Sequence, residues 1–191
     1  MKRYYLIVFI IAIGIVINFY QNNRNLPKAQ NVSQKEVFAT PNQSSTQSAV
    51  LGVQTKTTGC IALNGLPDSS CTPGAIFTDA VRGQICAGGY STSVRNVPQS
   101  EKDSVYKEYG ILSHTTGQYE VDHLISLELG GSNDISNLWP EAASPKPGFH
   151  EKDMVENYLH AQVCNGTVTL QEAQKEISTN WLEVYNKMPK N

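Results

Sequence analysis

The segment that most limits what this chain can fold into runs from residue 119 to 140. It places Asp122 beside His123 in an apolar, strand-like run that continues through Leu124, Ile125, Leu127 and Leu129. The Gly130-Gly131 pair then turns the chain, Asn133-Asp134 adds further turn residues, and Asn137 follows His123 by fourteen positions, just before Leu138-Trp139-Pro140. Two extended segments around a glycine-rich reversal form a hairpin, in which successive side chains point to opposite faces. For Asp122 and His123 to serve one site, the first strand must bend or bulge there, as sheets often do beside active sites.

These residue types suit attack on a phosphodiester. A base must take a proton from water, and a cation must stabilise the charge that grows on phosphate and leaving oxygen. An imidazole with an ordinary pKa of about 6.5 is largely neutral at physiological pH yet still basic, which fits His123 to the first task. A carboxylate oxygen suits a hard divalent ion, which fits Asp122 to the second, with Mg²⁺ the first choice and Mn²⁺ or another ion also open. The side-chain amide of Asn137 both donates and accepts, so it can fix the imidazole; taken alone it reads sooner as a turn residue, and its position opposite His123 reverses that preference.

With Asp122, His123, the Gly-Gly turn and Asn137 in this order, the segment resembles the HNH endonucleases of the ββα-metal (His-Me finger) class. The resemblance implies a hairpin carrying the Asp-His pair on its first strand and an asparagine near its second that holds the hairpin and orients the base. It also implies a following helix that supplies a further metal ligand. Glu120 matches a position where some of these nucleases carry a functional acid, and by strand alternation it shares a face with Asp122. Together with Cys71-Thr72-Pro73-Gly74, Ile85-Cys86-Ala87-Gly88-Gly89-Tyr90, Val94-Arg95, the run 152–157, Val163-Cys164 and a terminal helix, the pattern is similar to a group of exported bacterial HNH-type proteins. The expected fold is α+β: a small ββα-metal core with additional helices.

A helix is expected over 150–160, where Val155, Leu159 and Val163 make one apolar stripe. His150, Asp153, Asn157 and His160 share another face, from which His150 and then Asp153 are the expected metal ligands; a solvated polar face is the competing interpretation. His114 lies in a polar loop, and His160, though on that face, has neither the motif position nor an adjacent acid and is expected in core or surface packing. Another helix is expected over 101–109 with Ser100 as N-cap, a short strand within 92–97 before Pro98, and a helix or strand within 78–86. At the end of the chain Thr169-Leu170-Gln171-Glu172 is a capping box opening a helix to about residue 185.

Three zones follow from composition. Residues 4–20 are almost wholly apolar behind Lys2 and Arg3, which predicts a signal anchor or transmembrane helix over 1–20 with the remainder outside the cytoplasm. Cleavage of that segment would instead give a secreted protein. Residues 21–58 are rich in Asn, Gln, Ser and Thr and are expected to form a disordered linker. Residues 59–191 form the expected HNH-type nuclease domain, and they contain all four cysteines, Cys60, Cys71, Cys86 and Cys164. An even count in an exported domain points to two disulfides with three possible connectivities, among which Cys60 with Cys71 and Cys86 with Cys164 is favoured. No Cys-x-x-Cys pair is present, so structural zinc is not expected.

Charge complicates the choice of partner. Of the fifteen basic residues, six precede residue 59, against the single acid Glu36, which leaves the domain nine basic and sixteen acidic side chains, a balance of −7. Tight duplex binding ordinarily needs a basic footprint, which this domain lacks. Arg95 is the expected phosphate contact, since a guanidinium fork fits phosphate oxygens, though it could equally pair with a carboxylate of the fold. The expected activity is metal-dependent endonucleolytic cleavage of nucleic acid, DNA first, outside the cytoplasm. The alternative is a catalytically inactive HNH-fold module that binds or supports structure at the cell surface.

Overall fold

The computed structural model describes residues 51–190. The apolar segment over 4–20 and the linker up to residue 50 lie outside the described residues. Among the described residues no helix is long and apolar enough to cross a membrane. Residues 51–58, assigned from composition to the linker, lie along the loop at 68–74: Thr55 N–H donates to Ser70 O at 2.9 Å, and Lys56 pairs with Asp68 at 2.9 Å.

The fold is mixed α+β, with several helices around one two-stranded sheet. In chain order the elements are α1 (Arg82–Ile85), α2 (Tyr90–Val94), α3 (Gln99–Glu108), β1 (Tyr119–His123), β2 (Leu138–Ala142), α4 (Phe149–Asn165) and α5 (Leu170–Lys187). Strands β1 and β2 pair antiparallel in unbroken register from Tyr119 opposite Ala142 to His123 opposite Leu138. The ladder therefore has no bulge at Asp122, and it ends at His123. The apolar run after it is not strand. Residues 124–137 form a buried connection with short 3₁₀ turns at Leu127–Leu129 and Ile135–Asn137, because those leucines and Ile125 are drawn into the core rather than into a ladder. Gly131 is required where this connection closes on itself, since a Cβ there would meet Ile125 O at 1.7 Å.

Helix α4 opens at Gly148, whose N–H donates to the Glu151 carboxylate at 2.9 Å. A side chain at Gly148 would strike Ala142 O at 2.4 Å, so the chain can leave β2 and enter α4 this tightly only with glycine. The stripe Val155, Leu159 and Val163 is buried against Ala173, Ile177 and Trp181 of α5, with Ile85, Ile125 and Leu129 completing the main core. Each of the buried valines, leucines and isoleucines removed from water contributes roughly 1.5–3 kcal/mol. Thr169 caps α5 as expected, its Oγ1 accepting from Glu172 N–H at 3.2 Å. A smaller cluster of Val105, Val121 and Leu138 fastens α3 to the other face of the hairpin.

Two local expectations change. Residues 92–97 do not form a strand: Tyr90–Val94 is helical and the chain extends only from Arg95 to Pro98. Helix α3 begins at Gln99 behind Pro98, one turn position ahead of the Ser100 cap, since proline's fixed φ already sets the chain for helix entry. The two disulfides are Cys60–Cys71 and Cys86–Cys164, with Cα separations of 6.1 and 5.6 Å, and the second clamps the end of α1 to the last turn of α4.

Candidate functional site

The hairpin directs its two faces to different neighbours. Because the register is unbroken, Glu120 and Asp122 share a face with Trp139 and Glu141, while Val121 and His123 share the opposite one with Leu138 and Pro140. Asp122 thus turns toward α4, and His123 turns toward Asn133, which is tied to the end of α2 at Val94.

His123 is only 2% exposed, and its ring is held by Asn133 rather than by Asn137. The Asn133 amide is itself oriented by two backbone groups. Its Nδ2 donates to Val94 O at 2.7 Å, and its Oδ1 accepts from Asn96 N–H at 3.1 Å. The oxygen must then be the atom that faces the imidazole, so Nε2 of His123 carries the hydrogen and donates to Oδ1 at 3.2 Å. In the neutral ring the lone pair consequently sits on Nδ1. Burial pushes the His123 pKa down to about 4, against the opposing pull of the Asp122 carboxylate and the Asn133 contact, and the nearby Arg95 charge adds to the depression. At neutral pH the ring is an uncharged base.

Asn137 has a different task. Fully buried, it accepts from Ile125 N–H at 2.9 Å and donates from Nδ2 to Ile125 O at 3.0 Å and Ser132 O at 2.9 Å. Its own carbonyl accepts from Leu124 N–H at 2.7 Å. It staples the buried connection directly behind His123, and so fixes the backbone on which the imidazole stands without a hydrogen bond to the ring.

On the other face the centre is Lys152, which is fully buried. Its ammonium donates to Asp122 Oδ2 at 2.8 Å, to His123 O at 2.7 Å and to Glu156. Burial would raise the Asp122 carboxyl, but the charge and hydrogen bond of Lys152 outweigh it and hold Asp122 below the usual carboxylate range. Burial would likewise lower Lys152, and Asp122, Glu156 and Glu141 together outweigh it upward. The surplus carboxylates keep their protons: burial pushes Glu141 to about 9 and Glu156 to about 8. As an anion Glu141 has no hydrogen-bond partner for either buried oxygen; as a neutral acid its O–H is placed to donate to Asp122. Sequence inspection passed over all three groups. Lys152 did carry a signal, because it lies three residues before Val155 and so continues the apolar stripe of α4.

The remaining expected residues lie around this pair of faces. Glu120 and Asp153 are exposed, and both carboxyls are raised, first by partial burial and then by Asp122, with Asp153 adding to the rise in Glu120. Arg95 is close enough to oppose that rise in Glu120. His150 is exposed at the start of α4, its ring against Phe149 with centroids 4.4 Å apart. Carboxylate oxygens and imidazole nitrogen are a donor set suited to a hard divalent cation. They are not drawn together, however: among the described residues the potential ligand atoms that converge within 4.8 Å are those of Cys86, His160 and Cys164, not those of Asp122, His150 and Asp153. One oxygen of Asp122 is already committed to Lys152. A cation at Asp122 would have to be met by rotation of the exposed Asp153, His150 or Glu120 side chains.

Beside Glu120 lies an open cleft of about 420 Å³, with Lys102, Tyr106, His114 and Tyr119 in its wall. His114, expected in a loop, stacks on Tyr106 there with centroids 4.4 Å apart. Two larger grooves, of about 600 and 660 Å³, are lined without His123, Asp122 or Asp153, and their size does not make them the better site. Comparison of the chain with protein-family models, with curated proteins and with solved structures finds no match.

Proposed function

We propose that the domain is a metal-dependent endonuclease of the ββα-metal type that hydrolyses nucleic acid outside the cytoplasm, with His123 as general base. The observation that carries this is the placement of His123: its Nε2 lies 3.2 Å from the clamped Oδ1 of Asn133, which makes Nε2 the donor and leaves Nδ1 to accept a proton from water. Asp122 and Asp153, with His150 or Glu120, are the residues to hold Mg²⁺ or Mn²⁺, which when bound supplies positive charge against the phosphate and leaving oxygen. Lys152 keeps Asp122 ionised and fixes His123 through its carbonyl. Arg95, whose charge acts on both His123 and Glu120, is the proposed contact for phosphate oxygens. The aromatic wall of the adjoining cleft suits an unstacked base. Two disulfides agree with an oxidising compartment, and anchoring through residues 1–20 belongs to the same proposal.

A second reading rests on one specific observation. Lys152 already neutralises Asp122, the carboxylate on which the cation depends, and this favours an inactive module that keeps the scaffold. Plasmid nicking by the full chain separates the two. The endonuclease cuts with Mg²⁺ or Mn²⁺, stops in chelator, and loses activity by about 100-fold or more as His123→Ala while its circular dichroism is unchanged. Equal cutting by wild type and His123→Ala rejects His123 as the base, and no cutting with any divalent ion leaves the inactive module.

A further inference from the structure

The disulfide Cys86–Cys164 has more around it than a structural clamp needs. Cys86 is an exposed residue and Cys164 a half-buried one, so the pair lies at the surface rather than in the core. His160 stands one helical turn before Cys164, its Nε2 3.4 Å from Cys164 Sγ and 3.0 Å from Ile85 O. One donor atom from each of Cys86, His160 and Cys164 lies within 4.8 Å of the other two. On the far side of the ring, Nδ1 is 4.0 Å from Glu128 Oε2, a buried oxygen with no hydrogen-bond partner of its own.

We propose that Cys86, Cys164 and His160 form a binding site for a thiophilic divalent cation, Zn²⁺, that becomes available when the Cys86–Cys164 disulfide is reduced. Zinc with Zn–S of about 2.3 Å and Zn–N of about 2.0 Å in a tetrahedron needs roughly 3.6 Å between a sulfur and a nitrogen donor. His160 and Cys164 already stand 3.4 Å apart. The two sulfurs need only separate to roughly 3.8 Å, which side-chain rotation of the exposed Cys86 supplies. Glu128 accounts for the opposite face of the ring, since a metal-bound histidine ordinarily gives its other N–H to a carboxylate that fixes its tautomer. Water or Ile85 O completes the fourth position.

The redox step balances. A dithiol reductant gives two electrons and two protons: the Cys86–Cys164 bond breaks, two thiols form, and the dithiol closes to its own disulfide. Zn²⁺ then displaces two thiol protons to solvent, and the His160 hydrogen moves from Nε2, where it faces Ile85 O, to Nδ1 on the Glu128 side, so the ring stays neutral as it ligates. Disulfide and cation are thus alternative occupants of one place in the fold, and this holds whether or not the hairpin cuts nucleic acid.

The test uses the full chain, reduced with a dithiol, desalted without oxygen and titrated with Zn²⁺ against a chromophoric chelator, with Co²⁺ as a spectroscopic probe. The reduced chain binds one Zn²⁺ that the oxidised chain does not, and Co²⁺ develops the visible bands of tetrahedral thiolate coordination. The double variant Cys86→Ser/Cys164→Ser, which retains Cys60 and Cys71, falls to the oxidised level, and Glu128→Gln loses about 10–100-fold in affinity. If reduction loosens the domain, Zn²⁺ restores the helical signal of wild type but not of His160→Ala. Zinc binding by the double variant equal to wild type, binding by His160→Ala equal to wild type, or no gain on reduction overturns the proposal.

Discussion

Replacing Lys152 with methionine tests the buried charge cluster most severely. The side chain is fully buried and its ammonium donates to Asp122, to the His123 carbonyl and to Glu156, and the side chains of Glu156 and Asp122 are only 15% and 14% exposed. Methionine fills nearly the same volume, so the loss is electrostatic rather than a cavity. Breaking a buried pair from one side costs about 3–5 kcal/mol, and the orphaned His123 carbonyl adds about 1 kcal/mol or more. In a domain with total stability of about 5–15 kcal/mol this is a large share, and it lowers Tm by roughly 10–20 °C. The sign with pH follows from Asp122. In wild type its folded pKa lies below the unfolded value, so its contribution is present above about pH 4 and is lost as pH falls through the folded pKa. In Lys152→Met the same carboxyl is raised instead, so the deficit is greatest at neutral pH and shrinks below pH 4. Urea unfolding of both proteins from pH 3 to 8 measures this directly. A pH-independent difference under about 1 kcal/mol would refute the cluster as described.

Two further outcomes follow from the same geometry. Asn137→Ala strands Ile125 N–H, Ile125 O and Ser132 O in the interior and lowers stability by about 3–6 kcal/mol, read as a shift of the urea midpoint; a loss under 1 kcal/mol would show that the connection does not depend on the staple. Glu141 has a folded pKa raised from the ordinary 4.5 to about 9, so its contribution is intact below the unfolded pKa and declines as pH rises toward 9. Glu141→Gln, a neutral isostere, therefore gains stability relative to wild type between pH 5 and 9 and not below; a constant difference across that range contradicts a protonated Glu141.

Much of the frame was legible in the residues. Val155, Leu159 and Val163 announced the buried face of α4, Thr169 and Glu172 its successor's start, and the spacing of Asp122, His123 and Asn137 a hairpin closed by an amide. What was not legible has physical causes. Hydrophobicity reports burial, not conformation, so Leu124 to Leu129 looked like strand although their backbone coils inside the core. β-branched residues near Thr92 favoured extension, but a turn of helix won. Buried charges resemble surface charges in a sequence, which hid Glu141 and Glu156. Asn133 looked like any turn residue, since nothing local reveals that its amide is clamped by Val94 and Asn96 against a ring ten positions earlier.

The proposed base chemistry depends on the protonation state of one imidazole, His123. Nitrogen-15 NMR of His123 in the selectively labelled full chain, followed from pH 3 to 8, should show a neutral ring with hydrogen on Nε2 down to about pH 4, where it titrates. A ring carrying its hydrogen on Nδ1, or one that protonates at the ordinary value of about 6.5, would contradict it.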